Sequence, residues 1–189
     1  MSSFMKNLNL PNQITLFRII LIPVFIFSLY LPVPHQNIIS VVIFALIALT
    51  DNLDGYLARR LNQVTDFGKL IDPLADKLLI SAAMIFLIGR DPVGVPAWIA
   101  YLILTREFLI TGLRSIDPKK IILSASWLGK FKTFCEVVGI IAVLLNFMWS
   151  YWILVLAVIF SWISGIDYIL KGKKLVSKLA SSGNLSRRR

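Results

Sequence analysis

Six apolar segments, each close to the ~20 residues that cross a bilayer as a helix, predict an all-α polytopic membrane protein with six transmembrane helices. Composition agrees: the 189 residues are 57% hydrophobic, with a mean hydropathy of +0.78. The breaks agree as well, because Pro32-Val33-Pro34, Gly89 with Asp91-Pro92, and Asp117-Pro118 are all turn chemistry.

The first segment, 14–33, resembles a signal peptide only in length. Arg18 interrupts its start and no small-residue cleavage site precedes Pro32, so it reads as a retained span. The second, 38–61, runs into a cluster of acidic and basic residues. The third, 71–89, opens on Asp72-Pro73, which either caps the helix or kinks one already begun. The fourth and fifth cover 95–113 and 128–148. A short break near 146–150 leads to the sixth, 151–170. No linker composition divides them, so 1–170 reads as a single membrane domain and 171–189 as a basic cytoplasmic tail.

A net charge of +10 is compatible in principle with nucleic acid. Here the basic residues flank apolar helices, so anionic headgroups and phosphorylated substrates are the expected partners, not nucleic acid. Cys135 is the only cysteine and lies in an apolar run, which suits a small core residue. His35, the only histidine, has no acidic neighbours that would suggest a metal or catalytic role. An even number of spans puts both termini on one side, together with every Lys and Arg except Arg90. By the positive-inside rule that side is cytoplasmic, which implies a bacterial cytoplasmic membrane.

The chemistry concentrates between Asp51 and Asp76. Carboxylates cost roughly 2.5–3.5 kcal/mol each at a bilayer centre on the insertion scale. Yet four of the eight aspartates (Asp51, Asp54, Asp72 and Asp76) lie at the junction of two apolar segments. On a helix, Asp51, Asp54, Gly55 and Ala58 follow i, i+3, i+4, i+7 and share a face; Asp72 and Asp76 are one turn apart on the next. Four such carboxylates repel one another unless cations neutralise them, and oxygen ligands select Mg²⁺ or Mn²⁺. Two ions could clamp a diphosphate. Gly55 and Ala58 remove bulk where a nucleotide would approach, Arg59 offers a fork for phosphate oxygens, and Gly68 loosens the backbone. The plainer reading is that these aspartates are headgroup-level charges or partners for Arg59, Arg60 and Lys77. For Asp66, Arg60 and Lys77 taken singly, that reading is preferred.

The spacing D-x2-D-G-x2-A-R-x8-G-x3-D-x3-D, complete from Asp51 to Asp76, resembles the signature of the CDP-alcohol phosphotransferase family. The resemblance implies a six-helix, usually dimeric membrane enzyme with two divalent cations. It implies Asp51, Asp54, Asp72 and Asp76 as metal ligands, with Asp76 also the general base. Gly55, Ala58 and Arg59 would be nucleotide and diphosphate contacts. Three other segments resemble the bacterial branch that uses sn-glycerol 3-phosphate: Pro11 to Arg18, with Asn12 and Thr15; Thr105-Arg106-Glu107 to Arg114; and Gly129-Lys130-Phe131-Lys132-Thr133. The implied donor is CDP-diacylglycerol, held by Asn12, Thr15, Gly55, Ala58, Arg59 and Gly68.

The basic residues fit a phosphorylated acceptor. Arg106, Arg114, Lys130 and Lys132 supply cations apart from the metals, whereas choline or ethanolamine would favour aromatic or acidic surroundings. Inositol phosphate and serine acceptors, an inactive scaffold, and a divalent-cation transporter are the alternatives. A transporter places its acids near the midplane and often has repeated halves; neither pattern is visible in the sequence. The orientation has a direct check. In a Cys135-free background, a cysteine at Gln36 should label from outside the cell and one at Asn62 should not; the reverse pattern would overturn the topology.

Overall fold

Apolar segments of this length satisfy their own backbone groups by winding into helices, and the chain does so throughout the part described. The computed structural model describes residues 10–60, 66–90, 92–116 and 127–186, with side chains over 13–50, 74–75, 77–90, 92–113 and 129–170. Among these residues there are six helices: α1 (Leu10–Ser28), α2 (Gln36–Arg60), α3 (Asp66–Phe86), α4 (Ala97–Ile116), α5 (Trp127–Leu144) and α6 (Ser150–Ser186). The described residues contain no strand, only an isolated parallel bridge between Ile88 and Val95.

Three boundaries differ from expectation. α1 stops at Ser28, where Leu29 and Tyr30 donate to the carbonyls of Ile26 and Phe27 at 3.1 Å and tighten the last turn. α3 starts at Asp66 and is continuous across Asp72-Pro73, so the proline falls inside a helix already begun. α6 does not end at Leu170 but continues unbroken through residues 171–186. At ~1.5 Å per residue its 37 residues span about 55 Å, well beyond a ~30 Å hydrocarbon layer.

Among the described residues, one stretch is long and apolar enough to cross a membrane by length and composition, Ser150–Leu170, with a mean hydropathy of 2.2. Gln13–Ser28, Gln36–Thr50 and Lys77–Phe86 are apolar but shorter.

Packing runs α1 against α2 and α3, α5 against α6, and α4 against α6, with α2 and α3 also touching α5. Ile22, Phe25, Phe44, Ile47, Leu79, Met84, Ile99, Ile103, Ile140 and Leu154 form the centre of one core. Phe25 and Phe44 meet at a ring-centroid distance of 5.4 Å. Ser28 Oγ donates to Ser40 Oγ at 2.9 Å, a small polar contact that brings α1 and α2 close. Large apolar side chains on all six helices face outward, among them Phe27, Leu46, Ile85, Tyr101, Phe134 and Ile166.

The α1–α2, α3–α4 and α5–α6 connections gather at one end. Arg90 Nη2 donates to Asn37 Oδ1 at 2.9 Å, Tyr30 stacks edge-on to Phe86 at 6.5 Å, and Leu145 lines one cleft with His35 and Asn37. His35 turns the chain with φ 62°, and its carbonyl accepts from Ile38 N and Ile39 N at the start of α2. The other helix ends, at Arg60, Asp66, Ile116 and Trp127, therefore lie at the opposite end of the bundle.

Between α3 and α4, Val95 N donates to Leu87 O at 2.9 Å and folds the turn onto itself. A Cβ on Gly94 would lie 2.5 Å from Arg90 N and 2.8 Å from Arg90 O, both backbone atoms that cannot swing away. Gly94→Ala should therefore lower the thermal unfolding temperature in detergent, with an overpacking cost of about 1–3 kcal/mol. Gly112→Ala, in helix α4 where a Cβ meets nothing within 4 Å, is the control and should not lower it, since alanine is the better helix former.

Candidate active site

α2 carries positions 51, 54, 55, 58 and 59 in unbroken helix, and α3 carries 68, 72 and 76. The helical register expected for the first set, and the one-turn spacing of Asp72 and Asp76, are therefore present in the backbone. Residues 61–65 join the two helices, which pack against each other and against α1. The side chains of Asn12, Asp51, Asp54, Arg59, Asp72, Asp76 and Arg114 lie outside the described residues, as do the surroundings of Gly55, Ala58 and Gly68.

α1, which packs on both of these helices, supplies two buried polar groups. Thr15 and Arg18, one turn apart, are each 1% exposed although α1 is otherwise apolar. A guanidinium so deep is held only where partners compensate its lost hydration. Arg18 belongs to α1, the helix that packs on both aspartate-bearing helices.

The structure is most informative at the basic cluster. Arg106 and Lys132, two of the four expected acceptor contacts, are brought together by Glu107. One Glu107 oxygen, Oε1, accepts from Arg106 Nη1 at 2.7 Å and from Lys132 Nζ. The other, Oε2, accepts from Lys77 Nζ at 2.5 Å. Lys132 also reaches Glu136 at 3.2 Å, the i,i+4 pair that the sequence suggests. Arg106 continues outward from this hub: its Nε donates to the Ser161 carbonyl at 2.8 Å and its Nη2 to Ser164 Oγ at 3.2 Å. A Cβ on Gly165 would lie 3.4 Å from Arg106 Nε, so α6 presents a surface small enough for the guanidinium to lie across it.

One carboxylate thus links α3, α4 and α5, and through Arg106 also α6. Among the described residues three cations face two carboxylates here, an excess of one positive charge in a largely buried place. Lys130 differs from Lys132. It is exposed near the start of α5, two residues earlier and on another face. Thr111 Oγ1 donates to the Glu107 carbonyl at 2.7 Å, so the Glu107–Thr111 stripe on α4 is a local hydrogen bond.

Lys77 and Glu107 were not among the expected site residues. The signal for Glu107 was available: it is one of two glutamates and lies within an apolar run. Lys77 had no such mark, because its partner lies 30 positions away on another helix.

Comparison with known proteins gives a consistent result. The family model for CDP-alcohol phosphatidyltransferase matches residues 8–163. A Bacillus subtilis (strain 168) protein named CDP-diacylglycerol–glycerol-3-phosphate 3-phosphatidyltransferase is 40% identical, covering 86% of this chain and 94% of its own length. A Mycobacterium tuberculosis (strain H37Rv) protein named probable phosphatidylglycerophosphate synthase is 38% identical over 86% of this chain and 81% of its own. A Rickettsia bellii protein carrying the same name as the Bacillus one is 43% identical over 68% and 70%. With the family model covering both aspartate-bearing helices and the Glu107 cluster, the chain belongs to the CDP-alcohol phosphatidyltransferase family.

Proposed function

We propose that this enzyme transfers a phosphatidyl group from CDP-diacylglycerol to sn-glycerol 3-phosphate, releasing phosphatidylglycerophosphate and CMP. The observation that carries the reading is the pairing, in one bundle, of the complete aspartate signature on α2 and α3 with a largely buried cluster of three cations, Lys77, Arg106 and Lys132, from α3, α4 and α5. Relatives near 40% identity, named for this reaction, support it.

The four carboxylates are a hard-oxygen donor set, and continuous helix through all four positions suits them to a Mg²⁺ or Mn²⁺ site in a family that is generally divalent-cation dependent. Two such ions held by Asp51, Asp54, Asp72 and Asp76 would neutralise the donor diphosphate and the departing CMP. Asp76 accepts the proton of the acceptor's primary hydroxyl as that oxygen attacks the β-phosphorus. Asn12 and Thr15 on α1, with Gly55, Ala58, Arg59 and Gly68, hold the cytidine diphosphate. Lys130 and Arg114 contact the acceptor phosphate, and Arg106 and Lys132, fixed by Glu107, add positive potential behind them.

All six helices cross the bilayer in this reading, three connections on the outer side and the signature on the cytoplasmic side. The apolar side chains exposed on every helix support it, since soluble monomers rarely expose contiguous apolar patches above a few hundred Å². Trp98, Tyr101, Trp149 and Trp152, exposed near the end that gathers the connections, suit an interfacial aromatic belt. The protein would then be a homodimer in the bacterial cytoplasmic membrane, with 1–170 as the catalytic domain and the basic residues of 171–189 at the inner surface.

The test is CMP release by purified protein given CDP-diacylglycerol, Mg²⁺ and a panel of alcohols. Glycerol 3-phosphate should be preferred and EDTA should abolish turnover; preference for inositol phosphate or serine would reassign the acceptor. Asp76→Asn should lower kcat by about 10²–10⁴-fold through loss of the base alone. Lys130→Ala or Arg114→Ala removes a charge-assisted contact worth about 1.5–3 kcal/mol. Each should raise KM for glycerol 3-phosphate by tens-fold and spare KM for CDP-diacylglycerol.

A further inference from the structure

We infer that Glu107 is a positioning residue for the transfer reaction, the carboxylate that sets α3, and with it position 76, against the basic helices α4 and α5. The inference rests on the reading of Asp76 as the base, and its geometry is independent of which alcohol is the acceptor.

Lys77 directly follows Asp76 in α3, and its ammonium is 2.5 Å from Glu107 Oε2. Successive helical residues differ by a fixed rotation of ~100°, so anchoring position 77 to α4 also fixes the azimuth of the helix at position 76. The packing between α3 and α4 is otherwise sparse compared with α5 on α6 or α1 on α2. The ion pair therefore adds a fixed point to a contact with little direct helix-on-helix packing. The opposite oxygen of Glu107 takes Arg106 and Lys132, so the same carboxylate places the cationic wall. Arg106 is itself anchored on α6 through Ser161 and Ser164, which makes α6 the fixed reference. Lys132 keeps a second partner in Glu136, whereas Glu107 is the one partner shared by all three cations among the described residues.

Loss of the negative charge at 107 should leave three cations in mutual repulsion and let α3 turn away from α4. In lipid nanodiscs and a Cys135→Ala background, spin labels at the exposed positions Leu78 (α3) and Leu109 (α4) report that contact. A second pair at Leu109 and Phe134 (α5) reports the other side. Glu107→Gln should shift or broaden the distance distribution of both pairs; Glu107→Asp should restore most of it. Lys77→Gln should disturb only the α3–α4 pair, which separates positioning from general loss of fold. In kinetics, Glu107→Gln and Lys77→Gln should lower kcat by about 10–100-fold, the size expected when reacting groups are misplaced by about an ångström, with both KM values within about threefold. Unchanged α3–α4 distances in Lys77→Gln, or a raised KM for glycerol 3-phosphate at normal kcat, would overturn the inference. The distance measurements need no substrate, so a wrong acceptor would appear in the alcohol panel and leave this test intact.

Discussion

A carboxylate withdrawn from water must be repaid by cations or hydrogen bonds, and the rest of this bundle is arranged around that requirement at Glu107. Its side chain is 9% exposed and its two oxygens take three cationic groups from three helices. Breaking such a pair by removing one partner costs about 3–5 kcal/mol, because the other charge stays buried and uncompensated. The cluster is therefore weak as a source of net stability and strong as a source of register. Apolar faces can slide or rotate against each other at small cost; a three-way charge contact cannot.

The surrounding bundle makes that register necessary. In the membrane-spanning bundle proposed above, helices would lack the hydrophobic drive that presses soluble helices together, so small residues and polar contacts would carry much of the specificity. Here the close contacts are of that kind. A Cβ on Gly139 of α5 would lie 2.6 Å from Leu154 Cδ2 of α6, and Ser28 meets Ser40 between α1 and α2. The α3–α4 contact is smaller, and there the ion pair between Lys77 and Glu107 adds a fixed point. The α5–α6 hairpin and the α1–α2 pair thus form well-packed flanks, with α3 and α4 joined by charge between them.

Much of this was legible in the sequence, and the failures have physical causes. Periodic apolar runs located all six helices because each must bury or lipid-expose a long face. Helix ends were harder. Asp72-Pro73 was compatible with a helix start or with a helix already begun, and only the structure, with α3 running from Asp66, decides for the second. Lys171 looked like an end because hydropathy falls there, yet helix propensity and hydropathy are separate properties and α6 continues to Ser186. At the site, fixed spacing made the aspartate signature visible because both carboxylate pairs are local in the chain. The Lys77–Glu107–Lys132 contact was not visible, since it joins residues 30 and 25 positions apart and depends on how helices meet. Arg106 and Lys132 were read as acceptor cations, but sequence alone could not distinguish a cation that waits for a ligand from one already held by a carboxylate.

That distinction bears on how a phosphate-bearing acceptor could be recognised beside a metal-bound diphosphate. Both substrates are anionic, and cations that were free to move would pair with whichever phosphate came first. Arg106 and Lys132 are instead fixed by Glu107, Glu136 and α6, so they offer potential from a set direction with little freedom to follow a ligand. Lys130, exposed on the same helix as Lys132, remains able to reach. In the proposed reading, a fixed cationic wall with an exposed lysine at its edge would attract the acceptor's phosphate without competing for the donor's diphosphate. The carboxylate that immobilises the wall is the same one that ties it to the helix bearing Asp76. With Asp76 as the proposed base and the basic cluster as the proposed acceptor site, the distance between acceptor recognition and proton removal would be set by one side chain rather than by the summed packing of two helices.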